Sequence, residues 1–239
     1  MAADIMGWVR YQYQRIRQYP HYRSEVRQIE QRKNGAEFPA FARLKEMRGS
    51  YAGKRCFILS DGAGLSAQER EGLQTQITFG VGAFLEQNCF IPTFIGTQNP
   101  AEFKRLKSAI LSNTDSTVLV GDNLAGQLDH LEHAVLYPYL GVYKYYMNRY
   151  GGYHVKFSDD AYAVVYDGYH VVYSMLQIAA YFGFSEICLI GCGPTGKERL
   201  ASAYRTAKEY ADEHGIQIVD CTDGAPDTVF PHRDLCDLL

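Results

Sequence analysis

Short apolar runs alternate with helical stretches from Lys54 onward, and this alternation constrains the fold more than any other feature. The strand-like runs read RCFILS, ITFGVG, PTFIGT, STVLVGD, EICLIG and IQIVD. The helical candidates between or after them cover residues 66–72, 100–112, 167–183 and 197–214. Uniformly apolar runs separated by helices are typical of parallel strands that are covered on both faces. The sequence therefore predicts an α/β fold with a mostly parallel sheet and helices on both faces.

Charge is unevenly distributed along the chain and divides it into two parts. Residues 1–55 carry 12 Lys/Arg and 5 Asp/Glu, although the whole chain has a net charge of −3. We therefore expect a basic, helical N-terminal arm over residues 1–50 and a single α/β domain over residues 51–239.

The arm has the residue spacing of an amphipathic helix. Ile5, Val9, Tyr13 and Ile16 recur at helical spacing, and Trp8 lies beside them. Such a helix either lies on an anionic membrane or a polyanion, or packs on its own domain with solvated arginines. Because no aromatic and basic nucleic-acid module follows it, nucleic acid is not an expected partner.

Cysteine usage and hydropathy bear on the compartment. The six cysteines lie mostly in apolar runs such as CFIL and EICLIGC, without the spacing of zinc ligands. We therefore expect reduced, buried thiols and a cytoplasmic location, with peripheral membrane contact through the arm left open. The sequence has no run of 18 apolar residues, so a membrane-spanning segment is not expected.

The first glycine-containing loop follows the strand candidate RCFILS and reads SDGAG. Ser66 and Glu69 fit a capping box, which predicts that a helix begins directly after the loop. Gly62 and Gly64 would let the backbone approach an oxyanion, while Asp61 would accept from a ribose or base or hold a metal ion. A phosphate-binding loop and a simple tight turn are both compatible with this pattern.

A second glycine loop places Gly191, Gly193 and Gly196 in a G-x-G-x-x-G pattern between a strand and a helix. The next strand candidate ends at Asp220, where a dinucleotide fold keeps its ribose-binding acid, but the spacing is long. The unit also comes last in the chain, which disfavours nicotinamide binding. The same residues nearly form a P-loop, but Glu198 replaces the magnesium-binding Ser/Thr, so a competent NTPase is not expected.

The stretch VVYDGYH precedes the most apolar helical candidate. Asp167 is predicted to cap this helix, and Gly183 is predicted to end it. His170 would then lie in the first turn, where the helix dipole favours a neutral imidazole with an acid–base or hydrogen-bonding role. A purely structural histidine is the alternative.

The tyrosine-rich stretch over residues 136–157 has two interpretations. Its rings could stack on a sugar or base, with Lys144, Arg149 and Lys156 meeting a phosphate. Alternatively, it forms a half-buried lid or an edge hairpin. In parallel sheets, ligands bind beyond the carboxyl ends of the strands, so the loops at 80–84 and 97–100 are also expected to contribute.

Residues 40–239 resemble the 6-hydroxymethylpterin diphosphokinase MptE-like family, whose members have Rossmann-like domains. The resemblance rests on four ordered segments: GKRCFILSDGAGL, ITFGVGAFL, SMLQIAAYFGFSEICLIGCG and AYRTAKEYADEHGIQIVDCTDGAPDTVFPHRDL. The family is similar in plan to bacterial CMP-sialic-acid sialyltransferases and to the central domain of motility accessory factors. The resemblance implies a Rossmann-like α/β fold that binds a nucleotide or nucleotide-sugar.

The resemblance also assigns positions to the site. SDGAGL stands where the family reads G-N-G-P-S-L, and Gly82 stands where it has a binding asparagine. The family's G-V-D becomes Gly191, Cys192 and Gly193, without the carboxylate. The insertion that follows in the family, which carries the general base in the sialyltransferases, is also missing. This leaves His170, His154 and the Lys/Arg of the tyrosine-rich stretch as substitutes.

Taken together, the pattern and the resemblance lead to one set of site residues. The candidate nucleotide- or substrate-binding residues are Ser60, Asp61, Gly62, Gly64, Gly82, Asn99, Asp167, Gly168, Gly191 and Gly193, and the catalytic candidate is His170. No metal ligand is assigned, although Mg²⁺ could accompany the nucleotide.

The function that the resemblance implies is nucleotide-sugar-dependent glycosyl transfer in bacterial surface-glycan assembly. The alternatives are an MptE-like diphosphokinase that moves pyrophosphate from ATP, and a catalytically silent nucleotide-binding or scaffold member. The expected partner is a small nucleotide or nucleotide-sugar, and a homo-oligomer is left open.

Overall fold

The structure is a computed structural model that describes residues 2–87, 89–128, 131, 134–141, 155–193, 198–223 and 229–239. Its centre is a seven-stranded sheet in which every strand pair is parallel. The strands of this sheet are β1 Arg55–Leu59, β2 Thr78–Val81, β3 Phe94–Thr97, β4 Thr117–Gly121, β5 Val135–Tyr137, β8 Glu186–Ile190 and β9 Gln217–Asp220. A separate parallel pair joins β6 Tyr139–Leu140 to β7 Val165–Tyr166.

The strands lie in the order β5-β4-β3-β2-β1-β8-β9, so the chain starts at β1, runs outward to β5 and then returns to the other side of β1. This reversal between β1 and β8 is the topological switch point of a doubly wound sheet. The predicted Rossmann-like α/β fold is therefore confirmed.

Helices cover the sheet and precede it as an arm. They are α1 Ala2–Lys33, α2 Ala42–Glu46, α3 Ala67–Leu73, α4 Pro100–Ser112, α5 Val171–Phe182 and α6 Glu198–His214. Short 3-10 turns cover Pro39–Phe41, Gly82–Glu86, Asp122–Gln127 and Leu235–Asp237. Within the described residues, no helix combines the length and the apolar character needed to cross a bilayer.

Two apolar clusters lie on the two faces of the sheet. One joins α5 and α6 to strand residues such as Ile58 and Phe79, and the other joins α3 and α4 to residues such as Phe57 and Ile95. Every residue of α5 except Ala180 is buried, which explains why this stretch is the most apolar helix of the chain. All six cysteines are free thiols, and four of them are buried.

Local signals predicted several element ends. Ser66 caps α3: its Oγ accepts from the Glu69 amide at 3.3 Å, and Glu69 Oε2 accepts from the Ser66 amide at 2.6 Å. Gly183 ends α5 in the left-handed conformation with a φ of 90°. Both predictions are confirmed, because each depends only on residues close in sequence.

The predicted start of α5 is wrong. The helix begins at Val171, and its N-cap is His170 rather than Asp167. Tyr169 has a φ of 74°, which is incompatible with a helix, and Asp167 instead accepts from the Tyr169 amide at 2.8 Å. An aspartate two residues before its donor forms a local turn of its own, and this turn displaces the helix start by several residues.

The tyrosine-rich stretch gives a second correction. Val135–Tyr137 is an edge strand parallel to β4, and Tyr139–Leu140 pairs in parallel with Val165–Tyr166. A hairpin would require antiparallel pairing, so the edge-hairpin alternative is wrong for the described part of this stretch. Lys144, Arg149 and His154 lie outside the described residues.

The C-terminal part of the arm packs against the domain. Ile29 and Arg32 are 8% and 6% exposed, and Arg32 Nε donates to the Ala163 carbonyl at 2.9 Å. The same guanidinium lies 5.0 Å from the Phe38 ring centroid and 5.2 Å from that of Phe41. Cation–π contact therefore holds this end of α1 in place, together with a charged hydrogen bond.

Glu25 lies near this contact and makes the stability of the fold depend on pH. Burial, and then the nearby Asp122, raise the pKa of Glu25 to about 7, although Arg32 opposes the shift. Because the folded-state pKa lies above the usual 4.5, the folded protein favours the protonated carboxyl. The contribution of protonated Glu25 to the free energy of unfolding is complete below about pH 4.5 and is lost as the pH rises through about 7.

We expect Glu25→Gln to remove this pH dependence. The unfolding free energy of the variant minus that of the wild type should increase by about 1 kcal/mol from pH 5 to pH 8. This value is reduced for solvent screening, because the group is only half-buried. Urea unfolding at the two pH values measures the change. Glu30→Gln, an exposed position on the same helix, should leave the wild-type pH dependence unchanged. Equal behaviour of the two variants would contradict the assignment.

Candidate functional site

The candidate site lies at the carboxyl edge of the sheet, where the chain changes direction between β1 and β8. The SDGAG loop begins at Ser60 after β1, and the second glycine loop begins at Gly191 after β8. Because β1 and β8 are adjacent parallel strands, the two glycine loops are neighbours. In open α/β sheets, ligands bind in the crevice at this place. The structure therefore brings the two glycine loops of the sequence to one position.

Backbone contacts lock these two loops together. The Ser60 amide donates to the Ile190 carbonyl at 3.0 Å, and the Gly62 amide donates to the Gly191 carbonyl at 3.2 Å. Gly191 has a φ of +68°, and a β-carbon there would lie 2.1 Å from the Ala63 nitrogen. Glycine is thus required at position 191 both for its conformation and for the close approach of the loops.

Four amides of the SDGAG loop, those of Ser60, Gly62, Ala63 and Gly64, already donate within the protein. Besides the Gly62 amide, that of Ala63 donates to the Ser60 carbonyl at 3.0 Å, and that of Gly64 donates to the Gly62 carbonyl at 2.9 Å. A phosphate cradle needs amides that point at the ligand. The arrangement therefore favours ligand contact through the Asp61 side chain over contact through these amides.

Asp61 links the β1 loop to the end of β2. Its Oδ1 accepts from the Ala83 amide at 2.5 Å, which fixes the carboxylate at the start of the 3-10 turn. Gly82 has a φ of +61°, and a β-carbon there would lie 2.2 Å from Asp61 Oδ1. The structure thus brings Asp61 and Gly82 together, and Asp61 is exposed.

A second carboxylate, Glu102, lies beside Asp61. Burial and then the negative charge of Asp61 raise the pKa of Glu102, while Arg105 opposes the shift. Asn99, a predicted ligand contact, caps α4 instead: its Oδ1 accepts from the Ala101 and Glu102 amides at 2.9 and 3.2 Å. Asn99 therefore orients the first turn of α4 and with it Glu102.

Mg²⁺ commonly binds through one or two carboxylates together with substrate phosphates. Asp61 and Glu102 fit this pattern, because both lie close to the Gly82 position, with Glu102 Oε1 3.5 Å from where a β-carbon would be. In the described part of the chain, no group of three or more His, Cys, Asp or Glu is arranged to hold a metal ion alone. An ion here would thus need further ligands from a bound phosphate compound.

The turn Asp167–His170 is the strained part of the site. Tyr169 is a non-glycine residue with a φ of 74°, a conformation that costs of order 1 kcal/mol or more. Asp167 is 3% exposed and holds the turn through the Tyr169 amide. Gly168 is required because a β-carbon there would lie 2.1 Å from the Tyr173 ring. Such strain concentrates at functional sites, where surrounding structure maintains it.

His170 is both the N-cap of α5 and the predicted catalytic residue. Its Nδ1 accepts from the Val172 amide at 3.3 Å. An accepting Nδ1 carries no proton, so the neutral ring bears its proton on Nε2. In this tautomer, which is inferred from the hydrogen bond, His170 is a hydrogen-bond donor rather than a general base.

A buried polar network places His170 at the carboxyl edge. Ser174, one turn into α5, donates to Gln98 Oε1 at 2.6 Å, and Tyr137 donates to the same atom at 2.9 Å. The Gln98 carbonyl accepts from Asn123 Nδ2 at 2.9 Å. Because Gln98 directly follows β3, this network joins α5 to the ends of three strands. Sequence analysis missed it, since its members are far apart in the chain.

Arg199 is a further residue that sequence analysis missed. It is exposed in the first turn of α6, beyond the β8 loop. Burial raises the pKa of the Tyr169 phenol, and the positive charge of Arg199 opposes that shift. Gly193 lies between them in the chain, whereas Gly196 and Lys197 are outside the described residues. Arg199 therefore adds a positive charge to the first turn of α6, where Glu198 is paired with Arg205.

Comparison with models of known protein families gives no match for this chain. Comparison with curated protein sequences gives none either. The fold and the position of the site define the chain as a Rossmann-like α/β protein.

The contact between the two loops predicts different outcomes for two glycines. We expect Gly191→Ala to lower the unfolding free energy by about 2–4 kcal/mol, because its β-carbon meets backbone atoms and its φ is positive. Gly64→Ala is the matched control, since nothing lies within 4 Å of its β-carbon position. It should change stability by less than about 0.5 kcal/mol. Urea unfolding measures both, and equal costs would contradict the loop contact.

Proposed function

We propose that the chain binds a nucleotide or nucleotide-sugar at the switch point and transfers the glycosyl group to an acceptor. One observation carries the proposal: Asp61 and the Gly191 loop meet between β1 and β8, the place where open α/β sheets bind their ligands. The resemblance of residues 40–239 to the MptE-like and sialyltransferase-like group supports the same ligand class.

Asp61 is the residue that we assign to the ribose. A carboxylate repels phosphate but accepts hydrogen bonds from hydroxyl groups, and the amides of Gly62, Ala63 and Gly64 beside it are occupied. The Ala83 amide engages only Oδ1, so the geometry of the carboxylate is fixed before a ligand binds. Ribose hydroxyls are the groups of a nucleotide that match such an acceptor.

Arg199 and His170 are the residues that we assign to the phosphate side. Arg199 provides a positive charge in the first turn of α6, where the helix dipole also favours an anion. His170 provides a neutral Nε2–H donor at the start of α5. In glycosyl transfer the acceptor oxygen forms a bond to the anomeric carbon and releases its proton to water, while the bond from this carbon to the phosphate oxygen breaks and its electron pair leaves with the phosphate. Positioned donors stabilise that developing charge.

Asp61→Asn tests the ribose assignment. Asparagine keeps an acceptor for the Ala83 amide but removes the charge, so folding should be unchanged while nucleotide affinity falls. Loss of a charged hydrogen bond corresponds to about a tenfold or larger rise in Kd. Titration calorimetry with nucleoside mono- and diphosphates and their sugar esters, with and without Mg²⁺, measures it.

Asp115→Asn is the control for this experiment, because Asp115 is exposed and precedes β4 at the amino edge of the sheet. Its Kd values should equal those of the wild type. The binding proposal fails if no compound in the panel binds the wild type. The ribose assignment fails if Asp61→Asn binds as tightly as the wild type.

His170→Asn separates the two roles of the histidine. Asparagine is among the best N-caps, so the stability of α5 should be retained to within about 0.5 kcal/mol. Removal of one positioned donor should lower kcat by about 100-fold, with little change in KM. Steady-state release of nucleotide from the sugar ester, together with thermal unfolding, measures both effects. If turnover and stability are both unchanged, His170 acts only as a helix cap and the assignment as a donor in the reaction is wrong.

The carboxylate pair Asp61 and Glu102 favours a second candidate, a diphosphokinase. Pyrophosphate transfer from ATP requires Mg²⁺, which this pair could bind together with the phosphates. The products distinguish the candidates: a diphosphokinase releases AMP and a glycosyltransferase releases the nucleotide of its sugar donor. Nucleotide binding without either product would favour the catalytically silent alternative.

A further inference from the structure

The N-terminal half of α1 exposes an apolar surface. Ile5, Trp8, Val9, Tyr13 and Ile16, here named the α1 stripe, are 62%, 52%, 51%, 65% and 73% exposed. These are the residues whose helical spacing is evident in the sequence. The alternative that this stripe packs on its own domain is therefore wrong.

The α1 stripe points away from the domain. The helix contacts the domain through Ile29 and Arg32, which are buried. At 3.6 residues per turn, the middle of the stripe lies about 160° around the helix axis from these two residues. Among the described residues, α1 thus has two faces, one that packs on the domain at its C-terminal end and one that is exposed at its N-terminal end.

Charge around the stripe has a single sign. No acidic residue lies between Asp4 and Glu25, while arginines occupy positions 10, 15, 17 and 23. A continuous stretch of twenty residues therefore carries four positive charges and no negative charge. A surface that meets this stretch closely must be negatively charged or neutral, because a positive surface would be repelled.

We infer that the α1 stripe docks on the surface of a bilayer that contains anionic lipids. An interfacial helix combines a basic polar face with an apolar face that contains Trp, Tyr and large aliphatic residues. From Ile5 to Ile16 the stripe is about 18 Å long, so it lies in the plane of the headgroups and does not span the bilayer. The aromatic side chains Trp8 and Tyr13 suit the boundary between headgroups and acyl chains.

The other occupants fit less well. A second copy of the chain would bring one acid-free arginine stretch against another, and the like charges would repel. A nucleic acid would match the charge but would leave the apolar stripe in water. Anionic lipid matches the charge and the apolar surface together.

Pro20 lies between the two halves of α1. Proline has no amide hydrogen, so the helix lacks the hydrogen bond that would run from residue 20 to the carbonyl of Ile16. Helices bend most readily at such a position. The docked half of α1 can therefore stay on the domain while the half with the stripe adjusts to a membrane.

Sedimentation of the full chain with lipid vesicles tests the inference. We expect binding to vesicles of phosphatidylcholine mixed with phosphatidylglycerol, and weak or no binding to phosphatidylcholine alone. High salt should release the protein, since exposed charges are screened. Arg17→Gln should weaken binding to the anionic vesicles roughly fivefold.

Ile16→Ser tests the apolar contribution without a change in charge. We expect about tenfold weaker binding, because a large aliphatic side chain is lost from the buried face. Gln28→Ser is the matched control: it is exposed on the same helix, outside the stripe, and should bind within about twofold of the wild type. Circular dichroism checks that both variants retain the wild-type helix content.

Several outcomes would overturn the inference. They are no binding to anionic vesicles, equal binding to neutral and anionic vesicles, and equal binding by Ile16→Ser and Gln28→Ser. A concentration-dependent dimer in light scattering that Ile16→Ser abolishes, without vesicle binding, would assign the stripe to a second copy of the chain. Salt-sensitive binding that depends on Ile16 would support the inference.

Discussion

The contact between the loops after β1 and β8 is the constraint on which the site depends. Adjacent parallel strands separate after their last hydrogen bonds unless something joins their loops. Here the Gly62 amide and the Gly191 carbonyl continue the pairing beyond the strands. Because a side chain at position 191 would meet the backbone of Ala63, the contact is possible only with glycine. The position of Asp61, and with it the ribose side of the proposed site, follows from this contact.

The second half of the site depends on a different interaction. Gln98 Oε1 accepts from Ser174 and Tyr137, so one side chain joins α5 to the sheet. A buried amide oxygen with two donors is well satisfied, whereas removal of either donor would weaken the anchoring of α5. The strained Tyr169 and the capping His170 precede this anchor by about one turn. The network therefore explains how an unfavourable backbone conformation persists beside the site.

The sequence predicted those parts of the fold that depend on neighbouring residues. The apolar runs gave β1 and β8, and the Ser66–Glu69 pair gave the start of α3. It missed β6 and β7, because two-residue strands have no periodicity of their own. It placed the start of α5 too early, because the sequence does not show that Tyr169 adopts a left-handed conformation.

The site was only partly predictable for a related reason. The glycine loops and His170 stand out in the sequence, and the structure places them at one edge of the sheet. Glu102, Gln98 and Arg199 have no motif, and they join the site only through the order of the strands and the direction of the helices.

The interlocked loops also have a consequence for selectivity. A ligand that reaches this edge meets a backbone that is already ordered, so little conformational entropy is lost when it binds there. The same rigidity removes the capacity to adapt to ligands of different shape. Discrimination between related ligands would therefore arise at the contact between Gly62 and Gly191 by exclusion of groups that do not fit.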